Sequence, residues 1–215
     1  VSGLERTRMT MNTMHKTIFV LGSLVCAGIA AAQTADPALQ AALKSSFRAQ
    51  GIAGLDRIEQ DPIQAFCSDP SLKSTPQGQA KMEALQKASL AEIKPPSDGK
   101  YLGDFKRGEA LAQNGRGSTW TDAAGSTNGG SCYNCHQIDP KEISFGNIGP
   151  SLAGYGKTRG YAQPIIEYTW NRISNSKAYN ACSNMPRFAH FGLLTEQQIK
   201  DVMALLLDPA SPVNQ

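Results

Sequence analysis

The chain has 215 residues, 40% of them hydrophobic, and carries 21 basic against 18 acidic side chains. A formal net charge of +3 is too small to indicate a nucleic-acid-binding surface. The length suffices for one to one and a half domains once a targeting segment is subtracted.

Residues 1–32 are predicted to be a non-mature leader that contains a secretory signal peptide. Lys16 provides a basic start, residues 18–29 form an apolar run, and residues 30–32 are three alanines that suit signal cleavage. The apolar run is shorter than the roughly 20 residues that span a bilayer. We therefore expect cleavage after Ala32 and a periplasmic mature chain without a membrane span.

Two alternatives apply to this leader. It could stay attached as an uncleaved membrane anchor, or Cys26 could carry a lipid, although Val25 is bulkier than the small residue that lipoprotein processing requires. Residues 1–32 contain three basic and one acidic side chain, so the remaining 183 residues carry 18 basic and 17 acidic groups. Nucleic acid is therefore not an expected partner of the mature chain.

The five cysteines fall into three groups. Cys26 belongs to the leader, and Cys132 and Cys135 belong to a motif described below. Cys67 and Cys182 remain, and an even pair in an oxidising compartment predicts a disulfide. The alternative is two buried free thiols.

Residues 33–96 are predicted to form a helical N-terminal extension. Asp36 followed by Pro37 is a helix-start signal, and the apolar spacing continues to Gly51; a second helix is predicted over 78–93. Between them we expect a looser stretch. The extension has few large apolar residues, so it should pack on its neighbour and not fold alone.

Residues 97–215 are predicted to be a compact helical unit. Helices are expected over 104–112 and 164–174, and a last helix is capped by Thr195 and stopped before Pro209. Glycine inside a helix costs about 1 kcal/mol relative to alanine, so Gly108 suggests that the last helix crosses there closely. No segment alternates with a period of two, which predicts an all-α fold.

The motif Cys132-Tyr133-Asn134-Cys135-His136 indicates covalent attachment of one haem c. Two cysteines at this spacing can form thioethers with two vinyl groups, and the following histidine reaches the iron as the proximal ligand. Zinc binding would need a second pair of ligands, and a thioredoxin-like redox pair would need a preceding strand, which this sequence lacks.

Pro150 is a candidate orienting residue for the proximal ligand. Its carbonyl could accept a hydrogen bond from the ring of His136, as metal-bound histidines usually require. The alternative is that Pro150 only turns the loop.

Met185 is the predicted second axial ligand of the iron. Pro186 stiffens the backbone that follows it, and a methionine in a polar loop is otherwise hard to explain. His190 is the competing candidate. Histidine and methionine together raise the haem potential relative to two nitrogen ligands, and a filled coordination sphere argues against oxygen binding or peroxidase chemistry.

Four segments resemble the SoxX family, the mono-haem cytochrome subunits of thiosulfate-oxidising SoxAX complexes. They are Gly-Asn-Ile-Gly-Pro-Ser-Leu at 146–152, Gly-Tyr-Gly at 154–156, Ser-Asn-Met-Pro-Arg-Phe at 183–188, and the segment at 194–213 that ends Leu-Asp-Pro-Ala-Ser-Pro-Val. The resemblance covers roughly residues 100–215 and leaves the extension unmatched.

This resemblance implies a class I cytochrome c fold in which Cys132, Cys135, His136 and Met185 match the haem-binding positions. It also implies a heterodimer with a SoxA-like cytochrome that couples thiosulfate to a cysteine of a sulfur-carrier protein, and a downstream cytochrome that accepts the electrons. The chain alone offers no nucleophile and base in a substrate pocket, so we expect no catalysis by it.

Two other functions are compatible with these residues. The chain could be a free periplasmic cytochrome that shuttles electrons to a terminal oxidase, or a mainly structural subunit. Cys182 lies three residues before Met185, which leads to a further hypothesis: a bridge to Cys67 fixes the geometry of the methionine loop.

Overall fold

The computed structural model describes residues 36–215, so the predicted leader at 1–32 and the first three residues of the extension lie outside the described part. Within that part the structure is helical, and an isolated bridge between Gln50 and Ala53 is its only β-type pairing. The all-α prediction is confirmed. The helices are α1 Pro37–Ser46, α2 Pro62–Ser68, α3 Pro70–Lys73, α4 Pro76–Ala91, α5 Phe105–Gln113, α6 Tyr155–Arg159, α7 Gln163–Ser174 and α8 Glu196–Leu207.

The first four helices begin in the same way. A proline occupies the first helical position, and the side chain just before it accepts hydrogen bonds from the free backbone N–H groups of the first turn. The capping residues are Asp36, Asp61, Asp69 and Thr75. These caps allow short, polar helices to form in a region with few apolar side chains.

Two expectations about the extension were wrong in detail. The stretch between the two predicted helices is not loose, because Asp61-Pro62 and Asp69-Pro70 start α2 and α3 there, and Cys67 lies on α2. Helix α1 ends at Ser46. Gly51 lies beyond it with φ of +52°, and a Cβ there would come within 2.1 Å of the carbonyl oxygen of Trp120, so this glycine permits a close chain contact instead of ending a helix.

Helices α5 and α8 cross at Gly108. A Cβ atom at this position would lie 2.1 Å from the carbonyl oxygen of Asp201 and 3.0 Å from Cβ of Leu205. The predicted close approach is therefore confirmed. The last helix is buried throughout its second and third turns, and Met203, Ala204 and Leu205 have no exposed surface.

Asp201 ties the crossing together with polar contacts. Its buried carboxylate accepts two hydrogen bonds from the guanidinium of Arg107 at 2.8 and 2.9 Å, one from the backbone N–H of Asp104 and one from the amide of Gln197, both at 2.9 Å. Burial alone would raise the pKa of Asp201, but these donors reverse that effect and hold the pKa below its ordinary value.

The extension packs on the helical unit that follows it, and residues 36–215 belong to one compact unit. Helix α4 contacts the short 3-10 turn Ser176–Ala178. The indole N–H of Trp170 donates to the carbonyl of Lys94 at 2.9 Å, and Arg57 donates to the carbonyl of Ser118 at 2.6 Å. Among the helices between residues 36 and 215, none has the length and apolar character needed to cross a membrane.

Replacing Asp201 by asparagine removes the charge while keeping the size of the side chain. We expect a loss of about 1–3 kcal/mol in the free energy of unfolding at pH 7, because the hydrogen bonds of a charged, buried group are lost. A carboxyl whose folded-state pKa is lowered stabilises the fold above its unfolded pKa, and this contribution disappears as the pH falls through the folded pKa.

Urea unfolding of the parent and Asp201→Asn at pH 7 and at about pH 3 checks this prediction. The difference between the two proteins should shrink at the lower pH. Asp56→Asn, at an exposed position in the turn Leu55–Ile58, is the control and should change little. An equal difference at both pH values would contradict the electrostatic explanation.

Candidate haem-attachment site

The segment that carries the two cysteines and the histidine is a tight turn. Ser131 enters it with φ of +52°, and residues Cys132–Asn134 form one turn of 3-10 helix. The backbone N–H groups of Cys135 and His136 both donate to the carbonyl of Cys132, at 3.1 and 2.9 Å. This turn places both thiols and the imidazole within five residues. Burial raises the pKa of the Cys132 thiol to about 12 before the haem is attached.

Helix α5 and the residue after it hold this turn in place. The N–H of Gly130 donates to the carbonyl of Leu111 at 2.8 Å, and the N–H of Ser131 donates to that of Asn114 at 3.0 Å. A Cβ at Gly129 would lie 1.9 Å from the same Asn114 oxygen, so the two backbone segments are in direct contact. The attachment turn is thus fastened to one of the two crossing helices.

Tyr133, between the two cysteines, is a further anchor that the sequence analysis missed. Its ring is buried, and its hydroxyl donates to Glu109 at 2.8 Å and accepts from the N–H of Asp139 at 3.1 Å. Burial, with Asp139 and Glu142 nearby, raises the pKa of Glu109 above its ordinary value despite the hydrogen bond from Tyr133. The sequence contains no signal for this contact, because Tyr133 and Glu109 are 24 residues apart and meet only when the attachment turn packs against α5.

His136 is oriented by two neighbours in the loop that follows. Its Nδ1 lies 2.7 Å from the carbonyl oxygen of Pro150, which leaves Nε2 as the nitrogen free for a metal. Gly149 donates its N–H to the carbonyl of Cys135 at 2.8 Å, and a Cβ at Gly149 would lie 2.2 Å from Cε1 of the ring. Only glycine lets the chain pass this close to the imidazole.

Met185 lies in a loop held by polar contacts to its backbone. Its carbonyl accepts from the hydroxyl of Ser176 at 2.6 Å, and its N–H donates to the hydroxyl of Ser183 at 3.1 Å. Lys177 extends into the same loop and donates to the carbonyl of Ser183 at 2.6 Å. The side chain of Met185 is half-buried against the core and lines a cleft of about 660 Å³.

The predicted site residues therefore fall into two groups. Direct hydrogen bonds connect the segments of Cys132, Cys135, His136 and Pro150, whereas Met185 shares no hydrogen bond with them in the part of the chain that the structure describes. Ligation of iron by His136 and Met185 stays a prediction.

His190 is engaged elsewhere. Its Nδ1 lies 3.1 Å from a carboxylate oxygen of Glu92 and its Nε2 lies 3.2 Å from the guanidinium of Arg187. Either nitrogen would have to give up its partner before it could bind a metal. This geometry favours Met185 over His190 as the second axial ligand.

The side chains present fit a covalently bound haem. Two thiols on one turn can form the thioethers, and an imidazole with its Nδ1 already bonded can present Nε2 to iron. Gly149 leaves room for this imidazole beside the chain. When bound, such a haem supplies a one-electron redox centre. The residues of the chain would attach the cofactor and hold the imidazole that binds its iron.

An all-α fold with this arrangement defines a c-type cytochrome. The sequence profile of the cytochrome c family matches residues 105–208. Residues 105–208 therefore contain a cytochrome c domain, and this domain supports an electron-transfer haem protein with a cytochrome c fold.

A similar protein from Aquifex aeolicus (strain VF5) is named an uncharacterized lipoprotein. It is 40% identical over 157 residues, which make up 73% of each chain. Residues 105–215 number only 111, so at least 46 of the aligned residues precede Phe105. The similarity therefore includes a large part of the N-terminal extension as well as the cytochrome domain.

Replacing Gly149 by alanine should displace the imidazole of His136. The new Cβ would overlap Cε1, so the ring has to move away from the carbonyl of Pro150. A histidine that has lost this hydrogen bond donates less electron density to the iron, so the oxidised iron is stabilised less. We therefore expect the midpoint potential of the haem to rise.

Potentiometric titration of the purified holo-protein measures this shift. Gly115→Ala is the matched control, because the closest atom to its new Cβ is the flexible hydroxyl of Ser131 at 3.2 Å. If Gly149→Ala kept the potential of the parent, Gly149 would not position the ring.

Proposed function

We propose that this chain is the electron-accepting, SoxX-like subunit of a heterodimer with a SoxA-like cytochrome. In this proposal the partner couples thiosulfate oxidatively to the cysteine thiol of a sulfur-carrier protein. That coupling releases two electrons, and the single haem c of this chain passes them one at a time to a downstream cytochrome. The proposed role in thiosulfate oxidation rests on the resemblance of the segments at 146–152, 183–188 and 194–213 to the SoxX family.

The observation that best supports a partner is an apolar loop next to the attachment turn. Ile143 is 94% exposed, Ile148 is 75% exposed and Phe145 is 42% exposed. Three large apolar side chains within six residues are rarely left in water on a protein that works alone. We call residues 143–148 the apolar loop.

The apolar loop is fastened to the haem-attachment turn. The N–H of Gly146 donates to the carbonyl of Tyr133 at 2.7 Å, and a Cβ at Gly146 would lie 1.9 Å from the carbonyl oxygen of Asn134. A protein that covered this loop would therefore contact the segment that holds the haem. Close approach of two haem-bearing surfaces is what electron transfer between subunits requires.

The same loop favours a lasting complex over a free shuttle. A cytochrome that meets many partners briefly uses a small, mostly polar contact, whereas permanent interfaces are larger and more apolar. The exposed residues of the apolar loop include Ile143, Phe145 and Ile148 beside the polar Ser144 and Asn147, and the three apolar side chains suit a permanent neighbour.

Co-purification tests this function. An affinity-tagged chain, expressed in its native host, should bring down a second c-type cytochrome, and the complex should reduce a cytochrome acceptor when thiosulfate and the carrier protein are added. Recovery of the chain alone would support the free shuttle instead.

Aspartate substitutions in the apolar loop locate the interface. Ile143→Asp with Ile148→Asp should lower the recovered partner by about tenfold or more, since charges in the centre of an interface are costly. Leu39→Asp with Leu55→Asp is the control, because these exposed leucines lie in the extension, away from the attachment turn in sequence. Undiminished recovery with the loop variant would contradict docking at this surface.

We also propose that the chain works in the periplasm after removal of residues 1–32. The disulfide between Cys67 and Cys182, which the structure contains, is stable in an oxidising compartment and rare in the cytoplasm. The relative from Aquifex is named a lipoprotein, and this makes lipid attachment at Cys26 the alternative to cleavage after Ala32.

The intact mass of the purified native protein distinguishes the two. We expect a mass equal to residues 33–215 plus one haem, with the protein released by osmotic shock. A mass equal to residues 26–215 plus a haem and acyl chains, with the protein in the membrane fraction, would instead establish a lipoprotein.

A further inference from the structure

We propose that helix α2 of the extension positions the axial methionine, because it holds the Met185 loop at two points, one on each side of Met185. One point is the disulfide from Cys67 to Cys182, and the other is the ion pair from Asp61 to Arg187. This inference rests on the proposed ligation of the haem by His136 and Met185.

The covalent tether lies before the methionine. Cys67 is near the end of α2, and its Cα is 5.4 Å from that of Cys182. Only two residues, Ser183 and Asn184, separate Cys182 from Met185. The start of the ligand loop therefore cannot leave the surface of α2 while the disulfide is intact.

The ionic tether lies after the methionine. Asp61 caps α2: one carboxylate oxygen accepts from the backbone N–H groups of Ile63 and Gln64 at 2.9 and 2.8 Å, and the other accepts from the guanidinium of Arg187. The side chain of Arg187 is only 6% exposed, and its guanidinium lies 4.4 Å from the centre of the Phe191 ring. This arginine, two residues after Met185, is fixed from both sides.

Helix α2 is suited to hold both tethers because it is itself anchored. Ile63 and Phe66 are buried, and the ammonium of Lys81 on α4 lies 5.6 Å from the centre of the Phe66 ring. Asp61 and Cys67 lie six residues apart, about 9 Å along a helix. A rigid rod of that length spans the short loop from Cys182 to Arg187.

The opposite side of the loop is supported by the turn Ser176–Ala178. Ser176 and Lys177 donate to the carbonyls of Met185 and Ser183, and α4 packs against this turn. The extension thus contacts the ligand loop directly through α2 and indirectly through α4. The extension therefore has a place beside the ligand loop although it contains no haem-binding residue.

Loss of a tether should raise the fraction of molecules in which the methionine has left the iron. Each removal should raise the affinity of the oxidised protein for imidazole by about tenfold, because imidazole binds only the open form. A tenfold change corresponds to about 1.4 kcal/mol.

The test compares three variants of the holo-protein: Asp61→Asn, Cys67→Ser with Cys182→Ser, and all three changes together. Imidazole affinity, the charge-transfer absorption band of methionine-bound oxidised haem, and the midpoint potential are measured for each. We expect tighter imidazole binding and a weaker band in each variant, with the largest change in the combined one. Asparagine still caps a helix, so Asp61→Asn separates the ion pair from the cap.

Asp69→Asn is the matched control. Asp69 caps α3 through the N–H of Ser71 at 2.9 Å and, among residues 36–215, forms no hydrogen bond or ion pair with the ligand loop, so its substitution should leave all three measurements unchanged. If the cysteine variant does not incorporate haem, the disulfide of the purified parent is reduced, alkylated and the haem reoxidised before measurement.

Unchanged imidazole affinity, band and potential, with only a lower unfolding temperature, would overturn the proposal and reduce the tethers to a stabilising role. Met185→Ala distinguishes this failure from a failure of the proposed site. If Met185→Ala keeps the methionine charge-transfer band, Met185 is not the ligand and the proposed site is wrong. If it loses the band while the tether variants keep it, only the positioning role is wrong.

Discussion

The close crossing of α5 and α8 at Gly108 is the constraint on which the rest of the structure depends. The two helices touch through backbone atoms, and this is possible only because Gly108 has no side chain. The contact aligns α5 so that Leu111 and Asn114 present their carbonyl oxygens to the haem-attachment turn. Asp201, on the other helix, then fixes the start of α5 through Asp104 and Arg107. The core and the attachment turn are therefore set by one contact.

The two predicted iron ligands are held by different parts of the chain. The segment of His136 is fastened to α5 and to the loop that ends at Pro150, whereas Met185 is held by the turn Ser176–Ala178 and by the extension. This division has a physical consequence. The imidazole is fixed by hydrogen bonds within the cytochrome domain, whereas the methionine loop also has contacts with residues more than a hundred positions earlier. Under the positioning role proposed above, its geometry would change without disturbing the attachment turn.

The extension compensates for its few apolar side chains with caps and cross-links. Its helices begin at aspartate or threonine followed by proline. The extension is joined to the cytochrome domain by a disulfide, an ion pair and two hydrogen bonds to backbone carbonyls. A disulfide that closes a loop of 115 residues restricts the unfolded chain. On the chain-entropy model this contributes about 4–5 kcal/mol to the free energy of unfolding. The Aquifex relative shares part of this region, so the extension is not peculiar to one chain.

The sequence by itself determined the local features of this protein. The spacing of Cys132, Cys135 and His136 indicated haem, helical periodicity and caps predicted α4, α5, α7 and α8 to within a few residues, and the cysteine count predicted the bridge between Cys67 and Cys182. All of these follow from residues close in the chain or from simple pairing. Only the tertiary structure decided that α2 exists as a helix against the ligand loop, that Tyr133 bonds Glu109, that His190 is occupied by Glu92 and Arg187, and that Asp61 meets Arg187. These contacts join residues far apart in sequence, and a single sequence contains no signal for which distant side chains the packing of helices will bring together.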